Sequence, residues 1–83
     1  MDTDRIERII EEGIEDATAS VRTTRHPEDE DHFAAVVVSP AFADVPLVQQ
    51  HQMVYDALGD HMTTDIHALE IETYTPEEYD DAA

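Results

Sequence analysis

A run of six apolar residues, Phe33 to Val38, is the feature that most constrains the fold of this chain. Three consecutive valines close the run, and β-branched side chains favour an extended strand. A strand that is apolar at successive positions is typical of a central strand with a neighbour on each side. The run is also far shorter than the roughly 18 to 20 apolar residues that span a bilayer. The sequence therefore predicts a domain built around one central strand, His32 to Ser39.

Two amphipathic helices are predicted on either side of this strand. The first covers Asp4 to about Glu15, where apolar residues recur at helical spacing: Ile6, Ile9, Ile10 and Ile14. Asp4 and Glu7 resemble a capping box at its start. The second covers residues 46–62, where positions on one face recur at intervals of three and four: Leu47, His51, Val54, Leu58 and Met62. Gly59 weakens the end of this helix, because glycine costs about 1 kcal/mol relative to alanine.

Two further strands are predicted from an alternation of period two. Residues 17–22 alternate small apolar with polar side chains and predict an edge strand. Residues 66–74 place His67, Leu69 and Ile71 on one face and polar side chains on the other. The sequence Thr75-Pro76-Glu77-Glu78 is a capping box with proline at the first helical position, which predicts a short terminal helix.

The resulting order is helix, strand, strand, helix, strand, helix, which defines a two-layer α+β fold with a three-stranded mixed sheet. The first two strands pair as an antiparallel hairpin, and the helical crossover makes the second and third strands parallel. Parallel strands begin at the same end of a sheet, so we expect His26, His32 and His67 at that end. One domain is predicted to fill residues 1–83, with its core at about 5–79.

The charge balance limits the environment and the partners of the chain. Its 21 Asp and Glu residues stand against four arginines and no lysine, for a net charge of -17. This balance suits a cytoplasm of molar salt, where the Debye length falls to about 3 Å, and predicts a halophilic archaeal source. An ordinary acidic protein is the alternative. The same charge disfavours nucleic acid, since phosphate binding depends on Lys and Arg. Without a basic signal-peptide start or a membrane span, we expect a cytoplasmic protein.

No motif of an enzyme is present: the chain has no glycine-rich phosphate loop, His-Glu-x-x-His sequence, serine elbow or cysteine. We therefore expect a non-enzymatic protein, and histidines are its remaining candidate ligands. The acidic turn between His26 and His32 favours a solvated loop over a cation site. His51 lies on the apolar stripe of the second helix, which favours a packed, hydrogen-bonded histidine over a ligand. His67 differs from these, because it opens a strand.

Several segments together resemble the BolA family. They are His32-Phe33, Val36 to Ser39, Phe42, Gln50 to Tyr55, Ile66 to Leu69 and Thr73 to Glu78. The resemblance covers about residues 5–79 and implies a class II KH-like fold. It also implies a partner, since BolA proteins pair with monothiol glutaredoxins, hold a bridged [2Fe-2S] cluster with them and take part in iron-sulfur trafficking. Some members are described as DNA-binding transcription regulators.

The resemblance also assigns the site residues. His67 matches the strand-opening histidine that is a cluster ligand, and His26 matches the histidine-or-cysteine position in the loop between the first two strands. That loop is shorter than in many relatives. Gln50 and Gln52 replace the arginines that commonly flank the helix histidine.

The ligand chemistry agrees with the composition. Imidazoles can replace two thiolates on one iron of a [2Fe-2S] cluster while thiolates hold the other. Because this chain has no cysteine, the thiolates must come from the glutaredoxin and its bound low-molecular-weight thiol. We expect a monomer that binds no cluster alone and a heterodimer with the partner.

Two alternatives stay open at this point. The first is a KH-like nucleic-acid-binding transcription regulator, which would need a basic stripe, although only Arg22 and Arg25 cluster. The second is an interaction domain whose histidines are all structural.

We predict that folding depends on salt. A net charge of -17 opposes a stability of about 5 to 10 kcal/mol, so low salt should loosen or unfold the domain and molar KCl should restore it. Circular dichroism across a salt series measures this. A melting temperature that is the same at about 50 mM and about 2 M salt would contradict the halophilic interpretation.

Overall fold

The structure, a computed structural model, describes residues 2–23, 32–61 and 68–82. The elements are α1 (Thr3–Gly13), β1 (Thr18–Thr23), β2 (His32–Val38), a 3-10 turn (Pro40–Phe42), α2 (Leu47–Leu58), β3 (Ala68–Tyr74) and α3 (Pro76–Ala82). The sheet order is β1-β2-β3. β1 pairs with β2 antiparallel, and β2 pairs with β3 parallel. The predicted α+β order, the mixed sheet and the central position of the apolar strand are confirmed.

The core lies between one face of the sheet and the two longer helices. Its largest buried apolar side chains come from every layer: Ile6, Ile10, Phe33, Val37, Phe42, Val54 and Leu58. Each such side chain contributes about 1.5 to 3 kcal/mol when it is fully buried. The two helices approach closely at Gly13, where a Cβ atom would lie 2.6 Å from the Cβ of Ala57. A glycine is therefore required at this crossing.

The start of α1 differs from the prediction. Asp2, and not Asp4, caps the helix, and its carboxylate accepts a hydrogen bond from the backbone N–H of Arg5 at 2.8 Å. The predicted capping role of Glu7 is also wrong. Its carboxylate accepts from the N–H of Val21 at 2.7 Å.

Glu11 repeats this arrangement one turn further along α1, where its carboxylate accepts from the N–H of Ala19 at 3.0 Å. Ala19 and Val21 lie on β1, an edge strand. Backbone donors on a sheet edge need partners or water, and an unblocked edge invites pairing with another strand. Glu7 and Glu11 therefore occupy two donors of the β1 edge.

The second helix is shorter than predicted. It ends at Leu58 instead of Met62, because Gly59 adopts φ +55° and closes the helix with its N–H bonded to the carbonyl of Tyr55. Val54 and Leu58 are buried as expected, but Leu47 is 60% exposed. His51 is half-buried, and its imidazole forms no hydrogen bond with the described residues. The apolar stripe thus meets the core along only part of its length.

The terminal helix begins as predicted. The N–H of Thr75 donates to the carboxylate of Glu78 at 2.9 Å, and the N–H of Glu78 donates back to the Thr75 hydroxyl at 3.3 Å. The backbone hydrogen bond, helped by the Thr75 side chain, lowers the pKa of Glu78 below its usual value. The cap therefore stabilises the fold fully at pH values above the usual glutamate pKa. This stabilisation is lost as the pH falls through the lowered pKa of Glu78.

Candidate functional site

The strand ends meet at one end of the sheet in the predicted way. Thr23, the last residue of β1, pairs with Phe33, and His32, the first residue of β2, pairs with Ala68, the first residue of β3. The backbone register thus brings the end of β1 and the starts of β2 and β3 together. This end of the sheet is the strand-entry end.

The two predicted cluster ligands lie outside the described residues. His67 directly precedes Ala68 in the sequence, and His26 follows Thr23 by three residues. Both histidines are therefore bonded through short stretches of chain to strand ends that the register brings together. Their assignment as ligands stays a prediction.

A polar network organises the opposite end of the sheet. Ser39 is fully buried directly after β2. Its hydroxyl donates to the carbonyl of Glu15 at 2.6 Å and accepts from the N–H of Ala41 at 3.0 Å, and its own N–H donates to the carbonyl of Tyr74 at 3.0 Å. One serine therefore joins the segment after α1, the end of β3 and the 3-10 turn.

Gln50 joins α2 to this network. Its side chain is only 9% exposed, and its amide nitrogen donates to the carbonyls of Phe42 at 3.3 Å and Val45 at 2.7 Å. Its amide oxygen accepts from the hydroxyl of Thr73 on β3 at 2.6 Å. Every polar atom of this side chain has a partner within the fold, so Gln50 cannot contact bases, whereas the exposed Gln52 donates to Asp56 at 2.9 Å.

A cleft of about 590 Å³ opens beside this network, between the loop before α2 and the start of α3. Three carboxylates line it, from Asp44, Glu77 and Glu78. In the described part of the chain, however, no three His, Asp or Glu side chains are close enough to hold a metal ion. The cleft also lies at the opposite end of the sheet from the strand-entry end.

Ser39 and Gln50 were not predicted as structural side chains from the sequence. A serine before a proline favours a local cap, and this signal was present at Ser39. The partner of Gln50 on β3 lies 23 residues away, so local spacing carried no signal for that contact.

A comparison with protein families matches residues 9–78 to the BolA family, described as "BolA-like protein". The chain belongs to the BolA family. A solved BolA homologue from Coxiella burnetii superposes with a TM-score of 0.82 at 41% identity, over 96% of this chain and 97% of that one. The fold is therefore the class II KH-like arrangement of BolA proteins, as the resemblance implied.

Curated relatives carry names of several kinds. The DNA-binding transcriptional regulator BolA of Haemophilus influenzae is 42% identical over 50 residues, 60% of this chain. SufE-like protein 1 of Arabidopsis thaliana is 40% identical over 60 residues, 72% of this chain. The aligned part spans 48% of the Haemophilus protein and 16% of the Arabidopsis protein.

Relatives from Bos taurus and Mus musculus are named BolA-like protein 1. In the described ranges, no helix combines the length and the apolar character needed to cross a membrane.

We predict that Thr73→Val lowers the free energy of unfolding by about 1 to 3 kcal/mol, because it leaves the buried amide oxygen of Gln50 without a donor. Gln52→Ala is the control, since it removes an exposed contact within α2 and should cost less than about 0.5 kcal/mol. Chemical denaturation in molar KCl measures both. If Thr73→Val lowers the free energy of unfolding no more than Gln52→Ala does, the hydrogen bond between Thr73 and Gln50 does not stabilise the fold.

Proposed function

We propose that this protein is an adaptor in iron-sulfur cluster trafficking or assembly. In this role it pairs with a monothiol glutaredoxin and supplies His67 and His26 as ligands to a [2Fe-2S] cluster that bridges the two proteins. The observation that carries the proposal is the register of the strand-entry end, where Ala68 pairs with His32 one residue after His67.

The stretch of chain between Thr23 and His26 is long enough for His26 and His67 to bind the same iron. Neighbouring strands lie about 4.8 Å apart and β2 lies between β1 and β3, so the last residue of β1 and the first residue of β3 are separated by about 10 Å. A stretch of three residues, the distance in sequence from Thr23 to His26, reaches up to about 10 Å when extended. His26 can therefore approach the segment that enters β3.

The donor set also supports a shared site. Imidazole nitrogens and thiolates together are suitable ligands for the two irons of a [2Fe-2S] cluster. This chain offers histidines and no cysteine, so a complete site requires a thiolate-bearing partner. The chain's own part is to present neutral imidazoles from the strand-entry end. The cluster itself is cargo, which the pair holds and passes on.

We predict that the isolated chain binds no cluster, whereas reconstitution with a monothiol glutaredoxin produces a heterocomplex with histidine-perturbed visible absorption bands. His67→Ala should abolish these bands, because His67 directly precedes a strand. His26→Ala should weaken them or make the cluster labile, because His26 belongs to a loop. Absorption and circular dichroism spectra of the complex measure both effects.

His51→Ala is the matched control, since it removes an imidazole from α2 and should leave the spectrum unchanged. Wild-type spectra from both single variants and from the double variant would show that neither histidine is a ligand. The interpretation of the histidines as structural would then replace the proposal.

Transcription regulation is the second candidate, because the Haemophilus relative is named as a DNA-binding regulator. The surface of this chain argues against it. The helix α2 contains no Lys or Arg, and Gln50 is buried and fully bonded. Arg5 and Arg8 lie on α1, among its acidic residues, whereas Arg22 lies on β1. Phosphate contacts fix a protein on DNA, and the three arginines among the described residues lie on two different elements and form no stripe for them.

We predict no specific DNA binding in molar KCl, the condition in which the domain is expected to fold. Affinity falls steeply with salt for each phosphate contact, and this chain has only four arginines to make them. Fluorescence anisotropy with duplex DNA tests this. A saturable, sequence-dependent complex would contradict this prediction and favour transcription regulation over the adaptor role.

A further inference from the structure

The face of the sheet opposite α1 and α2 carries an apolar strip along β2. Ala34 is buried, and Val36 and Val38 are half-buried. None of the three belongs to the core between the sheet and the helices. At the end of β3, Tyr79 of α3 packs edge-on against Tyr74, with ring centroids 5.7 Å apart. We call this side of the sheet the outer face.

The pairing register arranges the outer face in rows that cross the three strands. The rows are Arg22–Ala34–Glu70, Ser20–Val36–Glu72 and Thr18–Val38–Tyr74. Residues of the first two rows other than Ser20 line a groove of about 280 Å³, with the Arg22 cation on the β1 side and the carboxylates of Glu70 and Glu72 on the β3 side. Within the described residues, Arg22 forms no ion pair. The face is therefore apolar at its centre and oppositely charged at its two sides.

This pattern is self-complementary. Two copies can face each other across a two-fold axis that runs parallel to β2 between their outer faces. Rotation about this axis places the β1 end of each row in one copy opposite the β3 end of the same row in the other copy. Arg22 of each copy then faces Glu70 of the other copy, Ser20 faces Glu72, and the small side chains of β2 meet at the axis. Sheets that stack face to face lie about 10 Å apart, a gap that arginine and glutamate side chains can cross. Residues that exchange places across an axis are the mark of a two-fold interface.

We propose that the outer face binds a second copy of this chain and forms a two-fold dimer in which Arg22 of each copy pairs with Glu70 of the other. A second copy is favoured over a different protein because the complement of each row is the same row reversed. The proposal replaces the expectation of a monomer, and it does not depend on cluster binding.

The dimer is expected to be weak and to need salt. Three strands of six or seven residues present a face of about 14 by 20 Å, which is smaller than a standard protein interface. Each copy also carries a net charge of -17, so the copies repel one another at low salt. At molar salt the Debye length of about 3 Å screens this repulsion.

Sedimentation equilibrium in about 2 M KCl, over a range of protein concentrations, tests the proposal. The wild type should approach twice the monomer mass of 9.4 kDa as its concentration rises. Arg22→Glu and Glu70→Arg should each raise the dissociation constant about tenfold or more, because each creates two like-charge contacts. Glu70→Arg lowers the net negative charge, so its weakening effect would not come from overall repulsion.

Two recovery experiments identify the pair itself. The double variant Arg22→Glu/Glu70→Arg should dimerise like the wild type, because the opposite charges are exchanged. An equimolar mixture of the two single variants should also form a dimer, since both contacts across its axis then join opposite charges. This recovery also shows that both single variants are folded.

Arg8→Glu and Glu12→Arg on α1 are the controls, because they make the same charge changes on exposed residues away from the outer face. They should leave dimerisation within about threefold of the wild type. A wild type that stays monomeric at the highest concentration would overturn the proposal. Single variants that match these controls, or a mixture that fails to associate, would do the same.

Discussion

The pairing of β2 with both neighbouring strands is the interaction on which the rest of the structure depends. Its inner side chains, among them Phe33 and Val37, join the core beneath α1 and α2. Its parallel pairing with β3 brings the strand starts together at His32 and Ala68. Its outer side chains form the apolar strip of the outer face. The central strand therefore determines the core, the strand-entry end and the proposed dimer surface.

The two ends of the sheet differ, because this pairing brings different segments together at each end. At the far end, Ser39 and Gln50 use buried hydrogen bonds to join α2, the 3-10 turn and β3. Buried polar groups that are fully bonded stabilise one arrangement, since breaking a single contact leaves a costly unpaired atom. The strand-entry end has the proposed role of presenting ligands to a partner. The cleft of about 590 Å³ lies at the far end.

Features that depend on local sequence could be predicted, and contacts between distant segments could not. The valines of β2 and the box of Thr75 and Glu78 carry their own signals within a few residues. Glu7 was misread because its partner, the N–H of Val21, lies 14 residues away. The predicted α2 was too long because the prediction followed the apolar spacing to Met62. The helix ends earlier, at Leu58, because the backbone of Gly59 closes it. The assignments of His67 and His26 rest on family resemblance, and both residues lie outside the described ranges.

The central claim is that nitrogen atoms of this chain bind the iron of a shared cluster. The most direct test labels only this chain with 15N-histidine, assembles it with an unlabelled monothiol glutaredoxin and a [2Fe-2S] cluster, and reduces the cluster for pulsed electron paramagnetic resonance. We expect strong hyperfine coupling from two 15N nuclei in the wild type, and from one 15N nucleus in a His26→Ala complex that retains its cluster. A spectrum in which the reduced cluster shows no strong coupling to 15N would contradict it.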